Sequence, residues 1–130
     1  MPSALPKVHR EFFQIPMACP GEGWTRLAAD SGAIDELVLA DNLDTASRTG
    51  SRTRLARWMP GTRIGKPVIH DFHEEVLVVE GDFIVGCDAQ GHGGSRFGPY
   101  TFACRPPQVW HGPFATQNGC LLFEIQYYAP

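Results

Sequence analysis

The chain is 130 residues long, 43% hydrophobic and only 19% charged, with 14 acidic against 11 basic residues and a net charge of −3. A chain of this size buries roughly two thirds of the surface its unfolded form exposes, which predicts one domain around one core. The acidic balance and the lack of a basic stripe exclude a nucleic-acid footprint, and the lack of a long apolar run excludes a membrane-spanning helix.

Cys19, Cys87, Cys104 and Cys120 are spaced too widely for a CxxC motif and are expected to be free thiols. With no basic segment leading into an apolar one near Met1, a soluble cytoplasmic protein is the expectation.

In chain order, Met1 to Pro6 carries two prolines and no pattern and is expected to be an arm. Val8 to Pro16 reads as an edge strand closed by proline, with His9 on the surface. Between Pro20 and Asp30, the run Pro20–Leu27 is turn chemistry leading into a short strand or an irregular segment. Ala33–Ala40 fits either a helix or a strand, and its strand-like flanks favour the strand. Asp41–Ala46 is expected to form one helical turn that Gly50 ends.

From Ser51 to Met59, the residues Thr53, Leu55, Arg57 and Met59 alternate with Arg52, Arg54, Ala56 and Trp58, a period of two that predicts a strand turned by Pro60-Gly61. A second strand is expected over about 68–80, with 82–88 as its hairpin partner. Gly91-His92-Gly93-Gly94 reads as a loop with a solvent-facing His92. Phe97 to Arg105 returns as one strand that Pro106-Pro107 breaks. In the last strand Leu121, Phe123, Ile125 and Tyr127 share a face. Short strands with a turn about every ten residues predict an all-β barrel or sandwich.

Chemistry is densest at His70-Asp71-Phe72-His73-Glu74-Glu75, just before the β-branched run that ends at Gly81-Asp82. In an extended strand His70 and Glu74 have equal parity, so both can face one interior while Glu75 faces away. An imidazole and a carboxylate on one buried face suggest a metal, and His111, following the strand-breaking prolines, is the candidate third ligand. Without a metal, Glu74 in the interior would need a proton or another cation, because a lone buried carboxylate is too costly.

These two segments, separated by a glycine-rich loop, resemble the motifs of the cupin superfamily over roughly residues 51–128. The first motif fits at His70, Glu74 and Gly81, although its first His position falls on Val68. The second fits at Pro106 and His111, with Gln108 where glycine is usual. More narrowly, Glu74–Gly81, His111–Phe114 and Gly119–Leu122 resemble the group that contains the cupin domain of a zinc-dependent anti-sigma factor and dioxygenases that cleave diketones and hydroxyacetophenones.

The resemblance implies a single-domain cupin-type jelly-roll barrel over 1–130, with residues 1–50 supplying the arm and added strands. It implies a divalent metal, first of all Fe2+ with Zn2+, Mn2+ or Ni2+ as alternatives, held by His70, Glu74 and His111. A two-His-one-carboxylate set suits iron(II) with open positions, or zinc with a water. His73 and Glu75 would enter the set if a bulge turned them inward.

The leading expectation is a non-haem iron dioxygenase of a small oxygen-bearing molecule, with Glu74 and His111 as catalytic residues and Arg57, Trp58, Tyr100 and Arg105 on the pocket wall. The alternatives are a non-catalytic zinc- or small-molecule-binding module and an oxygen-independent isomerase or lyase. Exposed edge strands are commonly covered by a second subunit, so Val8–Ile15 with Tyr127 and Tyr128 predicts a homodimer.

Overall fold

Alternating apolar positions between glycine and proline turns build ten strands and, among the described residues, no helix. The structure is a computed structural model that describes residues 3–130, so the first two residues of the expected arm lie outside it. The strands are β1 (Thr25–Leu27), β2 (Ile34–Asp41), β3 (Ser51–Trp58), β4 (Arg63–Ile64), β5 (His73–Gly81), β6 (Phe83–Val85), β7 (Ser95–Phe97), β8 (Phe102–Arg105), β9 (Phe114–Ala115) and β10 (Cys120–Tyr127). They form an antiparallel six-stranded sheet, β1-β2-β3-β10-β5-β8, and a four-stranded sheet, β4-β9-β6-β7, the two layers of a jelly roll.

The core lies between the sheets. Ala56 and Trp58, Val76 and Val78, and Leu122 point inward from the large sheet against Phe83 and Phe114 from the small one. Trp58 meets the Phe83 and Phe114 rings edge-on, with centroids 5.2 and 6.3 Å away. Each large apolar side chain so buried stabilises the fold by about 1.5–3 kcal/mol.

The outer face of the large sheet is covered too: Leu37, Leu55 and Leu121 are buried beneath Ile15, Trp24 and Phe123. Trp24 Nε1 donates to the Pro16 carbonyl at 2.7 Å and Arg10 to that of Val38 at 2.9 Å, laying the N-terminal segment across this face. Val8 to Pro16 is therefore not the expected edge strand. It attaches through side chains, with Ile15 half-buried while Val8 and Phe13 are exposed.

Three other expectations change. Asp41–Ala46 forms no helical turn, because Asp44 Oδ1 accepts the Ala46 and Ser47 amides at 3.0 and 3.2 Å and closes a side-chain turn instead. Segment 82–88 does not pair with β5. Gly81, at φ +80°, passes so close to Gly119 that a Cβ would lie 1.9 Å from its carbonyl oxygen, and the chain there crosses to the small sheet. Asp82 holds the corner by accepting the Gln117 and Asn118 amides at 2.9 and 2.8 Å, and β6 pairs with β7 and β9. Finally, Gly98-Pro99 splits Phe97–Arg105 into β7 and β8, leaving Tyr100 in the turn at φ +70°. No helix of the described residues is long and apolar enough to cross a membrane.

Candidate metal centre

Glu74 enters the barrel by strand alternation: Glu74, Val76 and Val78 are buried on β5 while the residues between them are not. His70 arrives differently. It precedes β5, in a segment lashed to the Pro106–His111 loop by hydrogen bonds from the Val68 amide to the His111 carbonyl (2.8 Å), from the His111 amide back to Val68 (3.0 Å) and from the Gln108 amide to His70 (2.8 Å). Gln108 sits at φ +65°, a conformation that favours glycine, which accounts for the glycine usual at that motif position.

The lashing sets the His70 and His111 rings side by side, with centroids 5.0 Å apart. His70 stacks on Phe72 at 4.6 Å, Phe72 meets Tyr128 edge-on at 5.9 Å, and the Tyr128 hydroxyl donates to Asp71 at 2.8 Å.

One potential ligand atom from each of His70, Glu74 and His111 lies within 4.8 Å of the others. His111 Nε2 is 3.5 Å from Glu74 Oε1, and His70 Nε2 is 3.9 Å from Glu74 Oε2. His111 Nδ1 is 3.0 Å from the Val109 carbonyl, which can only accept, so Nδ1 carries a proton and in the neutral ring the lone pair is on Nε2. That Nε2 is buried and has no hydrogen-bond partner. A lone pair facing a carboxylate in a buried site calls for a proton or a metal cation between them. Two imidazoles and one carboxylate fit a divalent transition metal.

Burial pushes the Glu74 carboxyl up, but polar contact with His111, the Gln126 amide donating at 2.8 Å, and the positive fields of His70 and Arg54 outweigh it and hold it at about 2. His70 is pushed down, chiefly by burial, and so favours the neutral, ligating imidazole. Beside them Arg54 Nε donates to Glu124 at 2.6 Å and Nη1 to Glu36. Burial works against the Arg54 charge, and Glu124 and Glu36 more than restore it. Burial raises the Glu124 carboxyl, opposed by Arg54 and reinforced by Glu74.

A cavity of about 170 Å³ opens onto these groups, walled on its apolar side by Trp58, Val76, Phe83 and Phe114. Of the four residues expected on the pocket wall, Trp58 and Arg105 line this cavity, and Arg57 and Tyr100 do not. Arg57 falls on the outer parity of β3, 3.6 Å from Glu80, and Tyr100 is 83% exposed in its turn. His73 and Glu75 also take the outer parity of β5, His73 stacked on Tyr127 at 4.8 Å, and no bulge turns them inward. His9 and His92 stand on the surface.

Arg54, Glu124 and Gln126 were missed. For Glu124 and Gln126 the signal was polar residues on the otherwise apolar β10, and Arg54 stands directly opposite Glu124 in the β3–β10 register. A larger hollow of about 640 Å³ on the small sheet, beside Arg63 and Arg96, contains none of the three candidate ligands.

No family model and no curated protein matches the sequence. Solved structures match its fold. An RmlC-like cupin from Shewanella frigidimarina is 20% identical, covering 88% of this chain and 92% of its own, with a TM-score of 0.60. An acetylacetone dioxygenase from Acinetobacter johnsonii is 16% identical over 97% of this chain and 80% of its own, with a TM-score of 0.62. A predicted oxalate decarboxylase from Thermotoga maritima is 8% identical over 82% and 92%, with a TM-score of 0.61.

Proposed function

We propose that this chain, a cupin by fold, is a metal-dependent enzyme that holds one divalent iron at His70, Glu74 and His111 and uses dioxygen to cleave a small oxygen-bearing organic substrate. The observation that carries the reading is the buried, partnerless Nε2 of His111, aimed at Glu74 beside His70. The match to an acetylacetone dioxygenase over nearly the whole chain supports the choice of reaction.

Bound there, the iron would supply Lewis acidity and open positions for oxygen-bearing ligands. The remaining work falls to the chain. Val109 fixes the tautomer that presents the His111 lone pair. Gln126 holds one oxygen of Glu74 and so orients the carboxylate. Phe72 fixes the plane of the His70 ring by stacking. The apolar wall of Trp58, Phe83 and Phe114 seats the carbon skeleton of the substrate and excludes water. A volume of about 170 Å³ restricts that substrate to a small molecule.

The test is oxygen consumption by the iron-loaded protein with a panel of diketones and hydroxyketones. Uptake coupled to a cleaved product supports the reading, and silence across the panel with iron bound defeats the dioxygenase. Turnover under argon would instead favour an oxygen-independent lyase, the reading supported by the likeness to a predicted oxalate decarboxylase.

The reading includes a single domain in a cytoplasmic setting, supported by four free cysteines. It also includes a homodimer, supported by the exposed Val8, Phe13 and Phe102, the last on the edge strand β8. Light scattering that gave a monomer at working concentration would remove the dimer.

A further inference from the structure

Two guanidiniums line the cavity, and their surroundings differ. Arg54 is doubly neutralised, by Glu36 and Glu124. Arg105 has no carboxylate and no side-chain hydrogen bond among the described residues. Its guanidinium carbon lies 6.0 Å from the centroid of Phe114, whose ring in turn lies 5.7 Å from that of His111. Arg105 is also the register partner of Glu74 on the neighbouring strand, so the metal cluster and the unneutralised cation stand on one inward face.

We propose that Arg105 is the substrate's anion anchor, and that the substrate is a small carboxylate-bearing molecule whose acid group Arg105 receives while its carbon skeleton lies against Trp58, Phe83 and Phe114. This rests on the metal reading above. Even with Glu36, Glu74 and Glu124 all ionised, two guanidiniums and a dication leave the loaded cavity with one positive charge to be met by a ligand. A planar guanidinium with free donors matches a carboxylate in two parallel hydrogen bonds, which a neutral ketone cannot form. The aromatic floor beneath Arg105 restricts the swing of its head group and leaves its edge for the ligand.

The experiment compares two probes of nearly the same shape, acetoacetate and acetylacetone, the first ending in a carboxylate where the second ends in a methyl ketone. Their dissociation constants are measured by calorimetry under argon on metal-loaded protein, with metal content assayed in every sample. In the wild type acetoacetate binds at least about tenfold more tightly. Arg105→Gln brings the two probes together, and Arg105→Lys recovers part of the preference.

The inference is overturned if the wild type shows no preference for the anion, or if the preference survives in Arg105→Gln. Failure of the metal to load shows separately in the metal assay and defeats the metal reading itself. Arg105 is half-buried on the edge strand β8, and a melting curve for each variant confirms that the comparison is between folded proteins.

Discussion

The inside of the barrel has two ends built on the same strands. On β10, Leu122 is fully buried among Ala56, Trp58, Val76 and Val78, while Glu124 and Gln126, two and four residues further along the same face, are equally hidden but meet Arg54 and Glu74. On β5 the order is reversed, with Glu74 first and Val76 and Val78 after it, because the strands run antiparallel. The apolar end needs only shape. The polar end needs every buried group matched, and among its buried side-chain atoms matching fails at His111 Nε2. A satisfied apolar layer beside a polar layer with one vacant lone pair separates the part of the interior that holds the fold from the part that holds a ligand.

The largest effect is expected from Arg54→Ala. Removing the guanidinium leaves Glu124 buried without its partner and Glu36 without its donor, so unfolding in urea should show a loss of about 3–5 kcal/mol. Loss of less than about 1 kcal/mol would mean that this end is far wetter than its burial indicates.

Leu122→Ala strikes the other end and should cost about 2–5 kcal/mol by the same measurement, yet retain full metal stoichiometry. Gln126→Leu strikes the polar end, where it should cost about 1–3 kcal/mol by leaving a buried oxygen of Glu74 without its donor and also weaken metal affinity by about 10-fold or more, read by competition with a chelator. If Leu122→Ala weakened metal affinity as much as Gln126→Leu does, the two ends would not be separable.

The smallest effect is one of pH in metal-stripped protein. The Glu74 carboxyl is held at about 2, below its ordinary 4.5, so its contribution to stability is fully present above pH 4.5 and is lost as pH falls towards 2. Glu124 is shifted upward, so its ionisation opposes folding above its ordinary range and protonation relieves that cost. Urea midpoints of Glu74→Gln against wild type between pH 5 and pH 3 should converge as the pH falls, and a constant difference would contradict the assignment.

Much of this division could be read from the chain. Glu74, Val76 and Val78 alternate as a half-buried strand should, and His111 after Pro106-Pro107 was placed by the break in the pattern. His70 was chosen for its parity with Glu74, but the structure seats it by another means, through the Gln108 and Val68 hydrogen bonds and the Phe72 stack. Those contacts are long-range and leave no local periodicity.

Parity alone does not choose the inward face where both faces of the large sheet are covered. Leu121 and Phe123 do share a face, but it is the outer one beneath Ile15 and Trp24, and the less apolar parity, Leu122, Glu124 and Gln126, turns inward. The same ambiguity assigned Arg57 to the pocket in place of Arg54. Val8 to Ile15 read as an edge strand, but of its apolar residues Ile15 packs on the sheet while Val8 and Phe13 are exposed, and an attachment made through Ile15 and the Arg10 side chain requires no ladder.

The most direct test is elemental analysis of protein purified without a histidine tag or chelator, alongside His70→Ala, Glu74→Ala and His111→Ala. The expected result is about one divalent transition-metal ion per folded wild-type chain, lost in each of the three variants while each still melts cooperatively. A wild type that holds no metal even after reconstitution, or variants that keep it, would contradict the central claim that these three residues form a metal centre.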